Sequence, residues 1–538
     1  MLPGELCDPA AGCTWGVMVG RLQTPAVFHT SHPAQADDAM PVPWPPVLQE
    51  AQLRRGLGYY GSGARLERVV AKLMVGEPIV AATVGGSVTV GSGSSNLTEN
   101  GYAPRFFHFL NATFPHRDHV LVNKAIGGTN AGTFGTCLER LVPQDADLIT
   151  VELTYNEHPN LPFTSSDRKG FEQLLRKLLR MPKAPAIVLL HHFSWHQNIG
   201  DGVAEGLYYR GAEPHLATLA QYYDIPSPSL RDAVYAEMRA DLAPFKVSKV
   251  QTCCWERPSS GKRIEQAEEA DRGDYFFADV VHPGDKGHQA LAELLAQTLR
   301  AAARNVAAAA PRSSLLATLA TVSVDTDGGG GSSSTRRVGQ QFAAVSVLPP
   351  PMIPGNADAE TTLCAMQEDF QGVVADAHGF EWAAERPTKE TFVQQKWGYR
   401  SRTAGAWIEL EVSTKTSSEG KVLVLLGYLR SSAHMGLAQV ECVSGCTCAT
   451  TLFDGFWTYR ASLRAMHKFP ASQHRRCRVR VTVVPRGADD EGAAAAKKKG
   501  RPWGVGFKVQ LSGIMVASSQ PALWAYPAQA GDMMDLGG

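Results

Sequence analysis

The sequence predicts an α/β unit with a parallel sheet, followed by a unit built as an antiparallel β-sandwich. The strand-like runs before residue 300 are apolar without polar alternation, and helical patterns separate them. Such runs are typical of a parallel sheet that is covered by helices on both faces. After residue 346 several strand-like runs alternate strictly, and no long helical pattern lies between them. This second pattern favours a β-sandwich.

The individual elements follow from hydrophobic periodicity. Short apolar runs predict the strands of the first unit: Ile79–Val84, Val120–Asn123, Asp147–Leu153 and Ala186–Leu190. Apolar residues at helical spacing predict its main helices: Leu66–Met74, Gly170–Leu179, Pro214–Tyr222 and Gly287–Leu299. The clearest strands of the second unit are predicted at Ala406–Val412, Lys421–Gly427, Arg478–Val484 and Gly506–Leu511.

Composition divides the chain into five segments. Residues 1–50 are rich in Pro and Ala without a sustained period, and we expect an irregular leader. Residues 51–300 form the α/β unit. Residues 301–345 change to Ala and then to Gly and Ser, a composition typical of a linker. Residues 346–517 form the β-sandwich, and 518–538 are expected to be a tail.

Charge and hydrophobicity exclude several classes of protein. Lys and Arg total 52 and are balanced by 52 Asp and Glu, which argues against a nucleic-acid partner held by bulk electrostatics. No run approaches the ~20 apolar residues of a transmembrane helix. The first residues also lack the basic and apolar regions of a signal peptide. We therefore predict no nucleic-acid partner and no transmembrane segment, and the sequence leaves the oligomeric state open.

The cysteines and sequons favour the secretory pathway or the extracellular space, although no signal peptide is recognisable. A late cluster contains Cys442, Cys446, Cys448 and Cys477. Disulfides are our first interpretation of this cluster. Zinc is the second, because Cys-x-Cys lacks the usual spacing of a zinc knuckle. Asn96 and Asn111 begin sequons that accept glycans in secreted proteins.

Residues with catalytic potential follow the predicted strands. Ser87 follows the first strand in Gly-Gly-Ser, Gly128 follows the second, and Asn156 follows the third. Asp279 and His282 precede the last helix. These positions return to the carboxyl edge of a parallel sheet, where α/β proteins place their sites. An acyl-transfer site needs a nucleophile, a base, a group that orients the base and oxyanion donors, and this set contains all four.

The motifs and their order resemble those of the SGNH hydrolases, also called the GDSL esterase family. Gly-Gly-Ser87 resembles block I, and Gly128 in Asn-x-x-x-x-Gly resembles block II. Asn156 resembles the block III asparagine, and Asp279-x-x-His282 resembles block V. The resemblance covers residues 79–299. It implies a flavodoxin-like three-layer α/β/α domain that hydrolyses esters without a cofactor or a metal ion.

The resemblance also implies a role for each residue. Ser87 is the nucleophile, His282 is the general base, and Asp279 orients the imidazole. The Ser87 N–H, the Gly128 N–H and the Asn156 side-chain amide form the oxyanion hole. Gly127 is an alternative match for the block II glycine.

The sequence departs from the family pattern at two positions. Position 86 is Gly where the family usually has Asp, and Glu157 replaces the common Asp after the block III asparagine.

His191 and His192 end a predicted strand, and we expect them in a solvated loop.

We expect a serine ester hydrolase that acts through an acyl-enzyme. Its expected substrate is an acylated polysaccharide or small molecule, with O-acetyl groups on a carbohydrate as the first choice. An O-acyltransferase on the same scaffold is an alternative, because the acyl-enzyme would be the same. A catalytically inactive carbohydrate-binding protein is the other alternative, and Gly86 is the feature that favours it.

Overall fold

The structure is a computed structural model of the 538-residue chain. It describes residues 40–159, 161–198, 208, 211–252, 255–256, 263–309, 348–389, 395–417, 419–457, 462–486 and 505–518. Most of the predicted leader, the predicted linker from residue 310 onward and the predicted tail after Ser518 lie outside the described residues.

Residues 40–49 contain no helix or strand, but hydrogen bonds hold them against the first domain. The Glu293 carboxylate accepts hydrogen bonds from the Leu48 N–H (2.8 Å) and the Trp44 indole (3.0 Å).

The first domain is built on a four-stranded parallel sheet with the order β2-β1-β3-β4. Its strands are β1 (Val80–Gly85), β2 (Val120–Asn123), β3 (Leu148–Glu152) and β4 (Ala186–Leu189). Its helices are α1 (Glu50–Gly56), α2 (Ala64–Met74), α3 (Ser87–Val90), α4 (Tyr102–Thr113), α5 (Ala131–Thr136), α6 (Leu138–Leu141), α7 (Ser166–Leu179), α8 (Trp195–Asn198), α9 (Glu213–Tyr222), α10 (Leu230–Arg239) and α11 (Asp285–Ala309). A small sheet contains β5 (Lys249–Val250), β6 (Trp255–Glu256) and β7 (Arg263–Gln266), and a 3-10 helix follows at Glu269–Asp274.

Helices cover both faces of the parallel sheet, which confirms the predicted three-layer α/β/α domain. Residues of α2, α4 and α11 form one hydrophobic cluster, and residues of α5, α7 and α9 form another on the opposite face. The helix α11 extends ten residues past the predicted end at Leu299, into the segment expected to be linker. Alanine has the highest helix propensity, and Ala301, Ala302 and Ala303 are buried against the domain.

The second domain is an antiparallel β-sandwich, as predicted. One sheet has the order β10-β11-β18-β13-β16 with β8 also paired to β18, and the other has the order β15-β14-β17-β12-β9. The strands are β8 (Thr361–Met366), β9 (Val374–His378), β10 (Glu381–Ala384), β11 (Trp397–Ser401), β12 (Trp407–Val412), β13 (Val422–Arg430), β14 (Leu437–Ser444), β15 (Thr451–Asp454), β16 (Leu463–Ala471), β17 (Cys477–Val484) and β18 (Val509–Ser518), with a 3-10 helix at Gln367–Val373.

The last strand lies further along the chain than predicted. Gly506–Leu511 was expected to be a strand, but β18 begins at Val509 and ends at Ser518. Gly513 interrupts the apolar pattern, and the sequence signal is lost there. The strand continues because β13 pairs with it on one side and β8 and β11 pair with it on the other.

The two domains share a hydrophobic core. Leu423, Leu425 and Met515 from the outer face of the β13–β18 sheet pack into the same cluster as the helix α7. A disulfide between Cys137 and Cys364 joins the two domains covalently. The six-stranded sheet is therefore held against the face of the first domain that carries α5 and α7.

The late cysteines are paired in two further disulfides, Cys442–Cys448 and Cys446–Cys477. This agrees with the first interpretation of the cluster. A disulfide sulfur is not a thiolate, so these four residues do not have the donor set that zinc requires. None of the helices formed by the described residues combines the length and apolarity needed to span a bilayer.

Candidate active site

Ser87 lies at the carboxyl edge of the parallel sheet, as the first residue of α3. The two glycines before it allow other groups to approach the backbone. A Cβ atom at position 85 would lie 1.9 Å from Thr89 Oγ1, and one at position 86 would lie 2.2 Å from Asn156 Oδ1. Such distances are far inside van der Waals contact. The Gly-Gly sequence is therefore required by packing around Ser87.

His282 connects Ser87 to Asp279. The Ser87 hydroxyl lies 2.7 Å from His282 Nε2, and His282 Nδ1 lies 2.8 Å from Asp279 Oδ2. An Nδ1–H that donates to the carboxylate leaves the Nε2 lone pair to accept the serine proton. Asp279 Oδ1 also accepts the backbone N–H groups of Val281 and His282, both at 2.8 Å. The Asp279-x-x-His282 spacing thus forms one tight turn that orients the imidazole.

The charge of Asp279 is stabilised by the same contacts. Burial by itself would raise the pKa of the Asp279 carboxyl. The hydrogen bond and charge attraction from His282, together with the backbone N–H groups, outweigh burial and hold the pKa below its usual range. The carboxylate therefore remains ionised at neutral pH and stabilises positive charge on the ring.

The expectation that His191 and His192 lie in a solvated loop is wrong. Both side chains are 1% exposed. The chain continues alongside the sheet after β4, because the His191 N–H donates to Pro228 O at 2.9 Å and His191 forms a parallel bridge with Ser229. Burial lowers the pKa of each imidazole to about 3, so both are neutral.

His192 supports the turn that carries the catalytic candidates. Its Nε2 lies 3.3 Å from the Val281 carbonyl oxygen, and its ring packs edge-on against Phe277. Sequence reasoning missed this positioning role, because the contact joins the end of β4 to a distant turn before α11.

Asn156 and the Gly127–Gly128 turn flank Ser87 on the sheet edge. Asn156 is 8% exposed, and its side-chain amide packs against Gly86, next to Ser87. A Cβ at position 127 would lie 3.6 Å from the Ser87 Cβ. Gly128 has φ +74°, which favours glycine, and a Cβ at this position would lie 2.9 Å from Leu463 Cδ2 of the β-sandwich. The structure thus brings all the predicted site residues to one end of the sheet.

Glu157 links the turn at Asn156 to the segment after Gly128. Its Oε1 accepts the Ala131 N–H at 3.0 Å, and its Oε2 lies 3.4 Å from Arg168 Nη1. Burial raises the pKa of Glu157, while the charge of Arg168 opposes that rise. Glu157 therefore connects the two loops that carry Asn156 and Gly128, which are candidate oxyanion donors.

The β-sandwich also reaches the site. A Cβ at position 128 would lie 2.9 Å from Leu463 Cδ2 and 3.8 Å from the backbone nitrogen of Arg464, at the start of β16. Sequence reasoning missed both residues. The sequence contained no signal for them, because the contact depends on how two separately patterned domains pack together.

Comparison with known proteins agrees with this architecture. Residues 83–290 match the model of the GDSL-like lipase/acylhydrolase family. A crystal structure of a two-domain esterase (CEX) active on acetylated mannans aligns at 17% identity with a TM-score of 0.55, covering 87% of this chain and 99% of that one. The structure of a two-domain esterase (CEX) co-crystallised with mannopentaose aligns at 17% identity with a TM-score of 0.54. It covers 88% of this chain and 99% of that one. No curated protein matches the sequence significantly.

The family match covers the domain that carries Ser87, Asn156 and the Asp279–His282 turn. The structural matches extend over both domains and show that the two-domain fold is shared. Residues 83–290 are therefore similar to the GDSL-like lipase/acylhydrolase family, which supports an ester-hydrolysing enzyme, and the chain shares the two-domain fold of these esterases.

Proposed function

We propose that this chain is a serine esterase that removes O-acetyl groups from a carbohydrate through an acyl-enzyme on Ser87. One observation carries the proposal. The Ser87 hydroxyl is hydrogen-bonded to His282 Nε2 at 2.7 Å, and His282 Nδ1 is hydrogen-bonded to the Asp279 carboxylate at 2.8 Å. This is the arrangement of a nucleophile, its base and the group that orients the base.

In the first half-reaction, Ser87 Oγ attacks the ester carbonyl carbon while its proton passes to His282 Nε2. The resulting oxyanion accepts hydrogen bonds from the Ser87 N–H, the Gly128 N–H and the Asn156 amide. The tetrahedral intermediate then collapses and the ester C–O bond breaks. His282 returns the proton to the departing alkoxide, so that the sugar hydroxyl leaves and the acetyl group remains on Ser87.

In the second half-reaction, water attacks the acetyl carbon and gives its proton to His282 Nε2. Collapse of this intermediate breaks the bond to Ser87 Oγ, which recovers the proton from His282, and acetate is released. The ionised Asp279 stabilises the imidazolium in both halves.

The contact between Gly86 and Asn156 argues against the inactive alternative. A side chain at position 86, including the usual Asp, would displace the Asn156 amide from its place beside Ser87. In this chain Gly86 therefore permits the arrangement that catalysis needs.

A polysaccharide substrate is supported by two observations. The esterase of similar two-domain fold acts on acetylated mannans. In this chain, Leu463 of the β-sandwich contacts the turn at Gly128, so the second domain forms part of the surroundings of Ser87. A large substrate bound at Ser87 would contact both domains.

An oxidising compartment is the proposed location. The disulfides Cys137–Cys364, Cys442–Cys448 and Cys446–Cys477 support the secretory pathway or the extracellular space, because cytosolic proteins rarely keep such bonds.

The test is the Ser87→Ala variant, assayed with 4-nitrophenyl acetate and by acetate release from acetylated mannan. We expect a loss of about 10³-fold or more in kcat, because the covalent step requires the hydroxyl. Ser92→Ala, in the same loop, is the matched control and should retain activity. Hydrolysis that survives Ser87→Ala would contradict the mechanism. Acetyl transfer to an added sugar in preference to water would instead favour the acyltransferase.

A further inference from the structure

Glu152 is a fully buried carboxyl at the end of β3, beside the strand that leads to Ser87. Its side chain is 0% exposed, and its backbone pairs with Gly85 of β1. Side chains alternate along β3. Leu148 packs in the cluster with α2, α4 and α11, whereas Val151 packs in the cluster on the opposite face. Glu152 therefore points toward the layer that contains α4 and α11.

Glu152 contacts the short helix α3, whose first residue is Ser87. Its Oε2 lies 3.4 Å from Thr89 Oγ1, and the Thr89 hydroxyl lies 2.8 Å from the Tyr102 hydroxyl of α4. The Glu152 backbone carbonyl accepts a hydrogen bond from the Gly86 N–H at 3.4 Å. The side chain and the backbone of Glu152 thus both contact the segment that positions the nucleophile.

No cation balances this carboxyl within the part of the chain that the structure describes. Its Oε1 is buried without a hydrogen-bond partner. Burial raises the pKa of Glu152 to about 8, and this effect outweighs the hydrogen bonds from Thr89 and the Thr154 N–H, which favour the charged form. A buried carboxylate without a counter-ion is strongly unfavourable, so the group takes up a proton instead. Glu152 is therefore neutral near pH 7.

The other ionisable groups on this side of the sheet are neutral as well. Tyr102 comes from α4, His288 from α11 and His192 from the segment after β4. Burial raises the pKa of Tyr102 well above its usual range, and it lowers the pKa of His288 to about 4 and that of His192 to about 3. The groups that carry or acquire charge nearby act on His288 and not on Glu152: Arg105, His282 and Asp285.

We propose that Glu152 is a positioning residue whose neutral carboxyl holds α3 in its catalytic geometry, so that ionisation of this carboxyl lowers turnover at alkaline pH. This inference rests on the proposed esterase function of Ser87. An ionised Glu152 would be a buried charge that only movement toward water can relieve, and Thr89 and α3 would move with it. A misplacement of about 1 Å at a catalytic group costs about 100-fold in turnover.

The pH profile separates this role from that of the catalytic base. With His282 as the base, kcat should rise as the imidazole loses its proton and should then stay constant. Ionisation of Glu152 adds a falling limb on the alkaline side. The complete profile should therefore be bell-shaped, although Ser87, His282 and Asp279 by themselves predict a plateau.

The experiment measures kcat for 4-nitrophenyl acetate from about pH 6 to about pH 10, with the Ser87→Ala protein supplying the background rate. Wild-type kcat should fall above about pH 8, by about 10-fold or more at the end of the range. Glu152→Gln has the same shape but cannot ionise, so its kcat should stay constant over that range. Glu139→Gln is the matched control, because Glu139 is an exposed glutamate of the same domain, and it should keep the falling limb.

Two further measurements test the contact and the buried proton. Thr89→Val removes the hydroxyl that connects Glu152 to α3. It should lower kcat by about 10-fold, the effect of one hydrogen bond, and should change KM by no more than about 2-fold. The stability of wild type should also fall relative to Glu152→Gln as pH rises from about 4.5 to about 8, because the unfolded chain releases a proton that the folded chain retains.

The inference is overturned if wild-type kcat stays constant to about pH 10, or if folded Glu152→Gln keeps the falling limb. It is also overturned if circular dichroism shows that wild type unfolds over the same pH range. If Glu152→Gln does not fold, a wild-type kcat in Thr89→Val overturns it instead. All these results leave the esterase proposal standing. By contrast, hydrolysis of 4-nitrophenyl acetate that persists in Ser87→Ala would contradict the esterase mechanism itself.

Discussion

Substitution of Gly86 by alanine is the sharpest test of how the oxyanion site is built. The added Cβ would lie 2.2 Å from Asn156 Oδ1 and 2.6 Å from both Cγ and Nδ2 of the same side chain. The backbone at Gly86 has φ −87°, which an alanine readily adopts. The effect of the substitution therefore comes from the contact and not from backbone strain.

The size of the effect follows from these distances. Relief of the overlap requires the Asn156 amide to move by about 1 Å to reach an ordinary van der Waals separation. A misplacement of about 1 Å at a catalytic group reduces turnover by about 100-fold. Removal of one oxyanion donor costs about 10²–10³-fold. We therefore expect Gly86→Ala to lower kcat about 100-fold, and Gly86→Asp to lower it further.

The assay is steady-state hydrolysis of 4-nitrophenyl acetate, with thermal unfolding to verify the fold. Gly372→Ala is the matched control, because a Cβ there meets no atom within 4 Å. A double-mutant cycle isolates the mechanism. In an Asn156→Ala background the amide is already absent, so adding Gly86→Ala should change kcat by no more than about 2-fold.

Two results would refute this reasoning. One is a folded Gly86→Ala enzyme with nearly wild-type kcat, which would mean that the Asn156 amide has no role in the transition state. The other is full additivity of the two substitutions, which would mean that Gly86 acts through some group other than Asn156.

Further predictions concern the base, a buried histidine and the link between the domains. Asp279→Asn should lower kcat by about 10³–10⁴-fold with little change in stability, because the imidazole loses its orienting carboxylate; steady-state kinetics measure it. Burial lowers the pKa of His288 to about 4, whereas an unfolded histidine titrates near ~6.5. The unfolded chain therefore takes up a proton between these pH values that the folded chain does not, and stability supplied by His288 is lost as pH falls through that window. The stability advantage of wild type over His288→Gln should shrink by about 1.4 kcal/mol per pH unit across it, measured by denaturant unfolding. Replacement of Cys137 and Cys364 by alanine opens a loop of 227 residues and should lower the free energy of unfolding by about 2–5 kcal/mol.

Each of these predictions has a direct control. For Asp279→Asn, an unchanged kcat would show that the carboxylate does not orient the base. For His288→Gln, a difference that stays constant with pH would exclude titration of His288 as its cause. For the inter-domain disulfide, the matched control is alanine replacement of Cys442 and Cys448, which close a loop of only 6 residues and should matter less. Equal effects of the two pairs would contradict the entropic reasoning.

Much of the fold was predictable because local patterns specify it. The strands of the parallel sheet coincide with the predicted runs to within a residue or two, since each is a short apolar segment bounded by turn residues. The predictions failed where tertiary contacts overrode local pattern. The strand β18 continues through Ser512 and Gly513 because neighbouring strands pair with it on both sides. His191 and His192 are buried because the chain remains part of the sheet beyond the apolar run.

The sequence by itself predicted the class of chemistry, because its motifs and their order resemble those of the SGNH hydrolases. Ser87, Gly128 and Asn156 each follow a parallel strand, and the carboxyl ends of parallel strands meet at one edge. The spacing of Asp279 and His282 is short enough for a single turn, so their pairing needs no distant contact. These relations are local or follow from the sheet type: the motif spacing carries the first kind, and the hydrophobic pattern of the strands carries the second.

The tertiary structure decided which surfaces meet at the site. It brought Gly86 against Asn156, which turns a departure from the family pattern into a packing requirement. It joined Cys137 to Cys364 and placed Leu463 of the β-sandwich against the turn at Gly128. These contacts join segments far apart in the chain, and they depend on the packing of two domains whose own periodic patterns carry no information about each other.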